Sequence, residues 1–570
     1  MKELAKLIRV AQGEEAADLV IKNAKVPNVF TGEIQECDVA VCGGYIAGLG
    51  KYEGTQSMDV GGAYVCPGLI DAHQHIESSL AIPGVFAKSI VPHGTLCAIA
   101  DPHETANVCG NRGVEFLIEN SRTAPMDFYF MAPSCVPALT GERSGAILDA
   151  AALAELIDNP SILGLGEVMN TPGVLGCEPD MLDKLALYRG RVMDGHWTGG
   201  SALQLNAYAA TGISTNHECA DEETVKQCVE RGMYVLVREG STSRDLEWMV
   251  RYLLRSELPL DRFCFCTDDK HLSDSKSEGH IIHNIRKAVS LGLAPIDALR
   301  MATRNAAACY GLKDLGAVAP GYFANLVVVS DLKEFTVRQV FYRGELVSED
   351  YEPPAFAVAS PPATMLHTVN IATVEPTTLR LPVSADGMAN VIEIVPRHVV
   401  TKLVREEVQK KDGQFVPDGK YSKIVVVERH KASGQCGVGI VKGFGIRGGA
   451  IASTVGHDSH NLVVVGDNDA DILAAIYEAQ ALGGGWLAVA GGKTRAALPL
   501  PVAGLMSAEQ EADVISAQVE AVNEAAFKMG ISREIDPFAI LSFVTLSVIP
   551  EGRITPDGLF DVQKFAYIKV

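Results

Sequence analysis

The sequence predicts an α/β protein: a TIM-like (β/α)8 barrel carried by a split β-sandwich and followed by an additional C-terminal α/β or α+β domain. Three observations predict it. Across residues 66–315, apolar strand-like runs alternate with helix-like stretches eight times. Short, glycine-punctuated strand patterns stand on both sides of that region, at 18–65 and 316–348. A stretch rich in Pro, Ala and Ser (349–365) then precedes a region of mixed strands and helices. Strands that alternate with helices make parallel βαβ units, and eight of them in about 250 residues fit a closed barrel. An open doubly wound sheet is the alternative, but no G-x-G-x-x-G follows the first strand.

In chain order, MKELAKLIRVAQG reads as a short amphipathic helix with charges throughout, without the apolar core of a signal peptide. With the strands ADLVIKNAKV, ECDVAVCGGYIAGLG and SMDVGGAYV it fills residues 1–65, the first part of the sandwich. The barrel, 66–315, has strands that end in GLIDAHQH, AIADPHE, FYFMAPSC, LGLGEVMN, RVMDGHW, GISTNHE, YVLVREGS and FCFCTDDKH. Stretches such as GVEFLIENSR, DEETVKQCVERG and SRDLEWMVRYLLRS supply the helices between them. Residues 316–358 close the sandwich through GAVAPGYFANLVVVSD and TVRQVFYRGELV and run into the linker. The last domain, 366–570, mixes strands (YSKIVVVERH, NLVVVGD, GWLAVAGG) with helices (ADILAAIYEAQAL, SAEQEADVISAQVEAVNEAAFKMG), and the order of its sheet is left open.

The formal charge of −21 is spread along the chain and argues against a nucleic-acid backbone as partner. It does not exclude a free nucleobase, which carries no phosphate. Thirteen cysteines with no C-x-x-C pair fit reduced thiols and a cytoplasmic location. No apolar run reaches the ~18 residues that cross a bilayer, so no membrane partner is expected. A homodimer is the expected assembly.

Chemistry gathers where the strands end. In a barrel all those ends face one mouth. Alternate residues of a strand share a face, so His73 and His75 aim two imidazoles at one point. Strand four ends in Glu167, strand five in His196, strand six in His217 and strand eight in Asp268. Asp269 is expected to point away from its neighbour in an extended strand. A single histidine at a strand end is ordinary; four histidines and two carboxylates at one mouth form a ligand set. Imidazole with carboxylate suits zinc, iron or manganese, and two cations can share this many ligands, with Glu167 between them. The signatures P-C-x-x-C and H-E-x-x-H are absent, although His103–Glu104 and His217–Glu218 each begin the latter.

GLIDAHQH after a strand, a glutamate on strand four, single histidines on strands five and six, a strand-eight aspartate and APGYFANLVVVSD together resemble the amidohydrolase superfamily. Many of its members carry a carboxylated lysine on strand four, where this chain has Glu167. Three further stretches, IADPHETANVCG, VREGSTSRDL and CTDDKHLSDSKSEGHI, resemble the bacterial adenine deaminase family. RGGAIASTVGHDSHNLVVVG is similar to that family's extra domain, so the resemblance covers nearly the whole chain. It implies hydrolytic deamination of adenine to hypoxanthine and ammonia over two divalent cations, manganese or iron. In that reaction Asp268 serves as ligand and proton shuttle. The purine N1 needs a second acid, for which Glu104 is the first choice and Glu218 or Glu239 the alternatives. Asp101, Arg238, Glu239 and His271 are expected to line the substrate pocket, although Asp101 before Pro102 also fits a turn and Arg238–Glu239 also fits an ion pair at the rim. His457-Asp458-Ser459-His460 is either a loop that reaches the mouth or a local turn. Two rival functions stand beside this one: another amidohydrolase reaction such as cyclic amide hydrolysis, and a binding barrel without catalysis.

Overall fold

The structure is a computed structural model that describes residues 2–396 and 400–570. The first flank supplies β1 (Ala17–Pro27), β2 (Ile34–Cys42), β3 (Tyr45–Gly50), β4 (Gly54–Asp59) and β5 (Tyr64–Pro67). Eight short strands follow: β6 (Leu69–Gln74), β7 (Thr95–Ala100), β8 (Asp127–Ala132), β9 (Ile162–Val168), β10 (Val192–Gly195), β11 (Thr215–Asn216), β12 (Tyr234–Arg238) and β13 (Phe263–Cys266). The second flank adds β14 (Leu326–Val329), β15 (Val337–Tyr342) and β16 (Glu345–Glu349).

The two flanks form one continuous sheet rather than two separate ones, in the order β16-β15-β14-β5-β1-β2-β3 with β4 also on β1. The reason lies in β1, which pairs with β4 over Ala17–Lys22 and then with β5 at Lys25. Between the two pairings the register shifts from Ile21 to Ala24, and Asn23 has φ 55°. A bulge sharpens the twist of a strand and lets it change neighbours. β14 lies antiparallel on β5, Leu326 opposite Pro67 and Val329 opposite Tyr64, which ties the two ends of the inserted region together.

Inside that region β6 to β10 pair in order as one parallel arc, and β11 to β13 as a second. Hydrogen bonds cross both gaps. Ser214 N donates to Met193 O (2.9 Å), while Asp268 N donates to His73 O and His75 N to Asp268 O (both 3.0 Å). The result is a curled parallel sheet whose eight carboxyl ends share one edge. β6, β7 and β13 are buried along their whole length, as both-face coverage by helices requires.

The C-terminal segment contributes β17 (Met388–Ile394), β18 (Thr401–Glu407), the small hairpin β19 (Lys410–Lys411) and β20 (Gln414–Phe415), β21 (Tyr421–Val427), β22 (Cys436–Lys442), β23 (Ala450–Ser453), β24 (Leu462–Gly466), β25 (Gly485–Ala490) and β26 (Lys493–Pro499). Its main sheet runs β18-β17-β22-β21-β24-β23-β25-β26. Period-two alternation divides its side chains between two faces. Ala450, Ala452, Val464 and Leu487 pack with Ile472, Ala475 and Ile476 of helix Asp469–Ala481. Ile451, Val463, Val465 and Trp486 instead join the main core with Ile515, Val522 and Phe538 from the helices Ala512–Lys528 and Pro537–Phe543. The C-terminal segment meets the carboxyl edge of the parallel sheet, where Ser507 N donates to Leu80 O at 2.8 Å and Arg143 pairs with Asp557 at 2.7 Å. The linker has no helix or strand over 352–362, yet it is pinned: Asn120 Nδ2 donates to Ala359 O and Thr123 Oγ1 to Ala357 O.

Candidate metal centre and active site

Each residue of the ligand set follows from a strand end. His73 and His75 leave β6 with ring centroids 4.9 Å apart, and His73 stacks on His217 at 4.2 Å. Asp268 follows β13 with φ 59°, a conformation that costs a non-glycine residue ~1–3 kcal/mol and persists only where the surroundings impose it. The two backbone bonds to His73 and His75 impose it here. This turn also overturns the expectation for Asp269. Alternation holds only while the chain is extended, and the left-handed residue ends it. The Asp269 carboxylate accepts from Ser78 Oγ and shares a potential ligand group with His75 and Asp268.

Glu167 is the centre of the arrangement. Its Oε1 faces His75 Nε2 (3.4 Å) and His103 Nδ1 (3.4 Å). Its Oε2 faces His196 Nδ1 (2.6 Å) and His217 Nε2 (3.0 Å). Burial alone would raise the Glu167 carboxyl, but the charges of His196 and His217 outweigh it and hold it well below the usual carboxylate range. Asp268 behaves alike: against burial, the imidazoles of His73 and His75 beside it and the Arg238 charge hold it well below its ordinary value. Its Oδ1 lies 3.2 Å from His75 Nε2 and 3.7 Å from His73 Nε2, while Arg238 Nη1 donates to Oδ2 at 3.1 Å.

The donor set fits divalent cations. His73 is fully buried, yet neither ring nitrogen has a hydrogen-bond partner, which is costly unless something else takes the lone pair. His75 donates through Nδ1 to Asp101 O (2.9 Å), which fixes the tautomer and leaves the Nε2 lone pair facing the carboxylates. The trios His73–His217–Asp268, His73–His75–Glu167 and Glu167–His196–His217 each bring their ligand atoms within 4.8 Å of one another.

The remaining expectations divide. Glu104 lies at the same edge, with His103 Nε2 3.5 Å from its Oε1. Asp101 is buried under the ligands, where its Oδ2 accepts from Glu167 N at 2.8 Å; it supports the glutamate from behind. Arg238 spans three strand ends, joining Glu218 and Asp268 through Nη1 and Asp245 at 2.9 Å. Glu239 turns to the other side, as alternation along β12 demands. Its partners are Lys287 Nζ (2.6 Å), His283 and Arg244, none of them in the ligand set, while Arg238 pairs with Glu218, Asp245 and Asp268; Glu239 neither faces the ligands nor forms the expected pair with Arg238. Glu218, the other alternative acid, stays close, 3.7 Å from His217 Nε2. His271 lines a cavity of about 780 Å³ together with Asp245, Asp274, Asp536 and Phe543, open between the β12–β13 loops and the C-terminal helices.

Sequence reasoning missed His103. It noted the residue only as part of an incomplete H-E-x-x-H; His103 opens the helix His103–Cys109 just past β7, where strand alternation gives no guide. The loop 456–460 does reach the edge: His457 Nδ1 lies 2.5 Å from Glu104 Oε1, and His460 Nε2 contacts Glu104 Oε2.

Known proteins agree with this architecture. The model of the amidohydrolase family matches residues 64–347, which places the parallel sheet and its ligand edge in that class. The model of the adenine deaminase C-terminal domain matches residues 398–566. The chain is 45% identical to the adenine deaminase of Nitratidesulfovibrio vulgaris, over 99% of this chain and 98% of that one. It is 44% identical to adenine deaminase 2 of Carboxydothermus hydrogenoformans over the full length of both. The adenine deaminase of Geobacillus kaustophilus is likewise 44% identical, over 99% and 98% of the two chains. The chain belongs to the adenine deaminase family, hydrolases of the amidohydrolase superfamily.

Proposed function

We propose that this chain hydrolyses adenine to hypoxanthine and ammonia at the ligand edge, and that the two parallel arcs constitute a closed (β/α)8 barrel with that edge as its mouth. The full-length relatives support the substrate. One observation carries the chemistry: each oxygen of Glu167 faces a different pair of imidazoles. A carboxylate so placed suits two cations, held by His73, His75, Glu167, His196, His217 and Asp268. Manganese, iron and zinc all suit these donors. Divalent cations held there would supply Lewis acidity that lowers the pKa of water toward neutrality.

The chain's own groups manage the protons. Asp268 takes one from the attacking water and passes it to the departing amine, and Arg238 on Oδ2 keeps the carboxylate aimed. Glu104 delivers a proton to the purine N1, whose in-plane lone pair must be protonated as C6 is attacked, and is reprotonated from the second hydrogen of the water as the C6 carbonyl forms. Asp101 holds the backbone of Glu167. His271 and Asp245 line the approach from the cavity. The reading also includes a homodimer in the cytoplasm and no nucleic-acid or membrane partner; no helix among the described residues is long and apolar enough to cross a membrane.

Elemental analysis of the protein purified from manganese-supplemented medium tests the centre. About two cations per chain are expected, as a shared-water site requires, with fewer in Glu167→Ala. A single tight cation, even with metal in excess, would contradict the reading that these residues would hold two.

A further inference from the structure

The carboxylate of Glu104 is gripped from the far end of the chain. Its Oε1 meets His457 Nδ1 at 2.5 Å, its Oε2 meets His460 Nε2, and all three residues are buried. Both histidines belong to the turn that joins β23 to β24. The turn is itself anchored. Arg429 Nε donates to His460 O, His430 Nε2 to Ser459 O at 2.7 Å, and Asn461 Nδ2 to Arg143 O at 2.8 Å. The His457 ring stacks on Phe543 at 4.5 Å. A buried carboxylate with an imidazole nitrogen against each oxygen loses its freedom to rotate.

Glu104, His457 and His460 could also be read as a third cation site. The His460 tautomer argues against it. Gly456 N donates to His460 Nδ1 at 3.2 Å, so that nitrogen carries the lone pair and the ring proton sits on Nε2, facing Glu104. A neutral imidazole has one donor and one acceptor nitrogen; with Nδ1 engaged as acceptor, Nε2 is a donor to the carboxylate rather than a ligand.

We infer that His457 and His460 are positioning residues of the catalytic site: the C-terminal segment orients Glu104 for proton exchange with the substrate, so that the site is assembled from both ends of the chain. The inference rests on the function proposed above for Glu104.

A double-mutant cycle in the full-length, manganese-loaded enzyme tests it, with adenine as substrate and with kcat, KM, metal content and Tm measured for each variant. His460→Ala removes the donor to Glu104. It is expected to lower kcat by about 10–100-fold, the usual cost of losing a partner that orients a catalytic group, with KM changed less than about threefold and metal content intact. His460→Gln places an N–H near the same point and is expected to recover most of that loss. Residues that act through one another do not add, so in a Glu104→Gln background His460→Ala is expected to cost less than about threefold more. His457→Ala is expected to follow the same pattern.

Multiplicative losses in the double variant, or a His460→Ala kcat within about twofold of wild type, would overturn the proposal. Loss of metal or a collapsed Tm in His460→Ala, not recovered by His460→Gln, would do the same by showing a structural role. Near-normal turnover by Glu104→Gln would take Glu104, and the clamp with it, out of the reaction. Lack of turnover by the wild type would instead defeat the functional reading and carry the proposal down with it.

Discussion

Arg429 is fully buried and spends its guanidinium on backbone: it donates to the carbonyls of Thr368 (3.3 Å), Thr454 (3.3 Å), Ala503 (3.0 Å) and His460. Burial lowers its pKa to about 10, still well above neutrality, so the charge remains. Arg429→Met would leave several buried acceptors unpaired at ~1–3 kcal/mol each. A loss of several kcal/mol in urea denaturation is expected, and a loss under about 0.5 kcal/mol, the scale of an ordinary surface change, would contradict this account. The neighbouring His430 gives a pH test. Burial, with help from Arg429, depresses its pKa from 6.5 to about 3. The folded protein therefore keeps His430 neutral where the unfolded chain is protonated. The stabilisation is complete above pH 6.5 and is lost as pH falls toward about 3. His430→Gln, which retains a donor for Ser459 O, is expected to show a smaller fall in Tm between about pH 7 and pH 4.5, a window set by that linkage. Parallel curves for the two proteins would contradict it. At this scale legibility followed backbone regularity. Arg238 and Glu239 were expected together, although alternation along β12 sends them to opposite sides, and Asp269 escaped prediction because Asp268 leaves the extended conformation.

The elements that hold the ligands were legible because apolar strand runs and helix stretches alternate regularly from residue 66 to 315, and that periodicity is local. The C-terminal sheet order was not. β21 sits between β22 and β24, and β23 between β24 and β25, pairings that depend on contacts between distant segments. The bend in β1 was hidden for a similar reason, since nothing in KNAKV marks a strand shared by two neighbours. One close approach in the β9 strand offers a test. Gly166 precedes Glu167, and a Cβ there would lie 2.3 Å from Asp101 Oδ2. Because that oxygen accepts from Glu167 N, Gly166→Ala must displace the support of the central carboxylate. Activity is expected to fall ~10–100-fold with weaker metal retention, as for other losses of ligand support. Wild-type metal content and kcat in Gly166→Ala would show that Asp101 does not support Glu167.

At the scale of the whole molecule, cation binding is expected to couple to folding. Imidazoles and ionised carboxylates converge without hydrogen-bond partners at His73, so ligands that bind only the folded chain must stabilise it. Chelation is expected to lower Tm and abolish turnover, and added manganese to restore both; unchanged Tm in metal-free protein would mean that the convergent side chains hold no cation. The closing of the edge by the C-terminal segment was only half legible. The polar turn at 456–460 stood out in the sequence, but its contact with Glu104 spans more than 350 residues and has no local signature. The central claim, that this edge hydrolyses the C6–amine bond of free adenine, is tested most directly by one measurement. Full-length manganese-loaded protein is mixed with adenine, and hypoxanthine and ammonia are quantified together. The account predicts equimolar hypoxanthine and ammonia, formed at a rate proportional to enzyme and lost in Asp268→Asn. Unchanged adenine and no ammonia, from protein shown to carry two cations per chain, would contradict it.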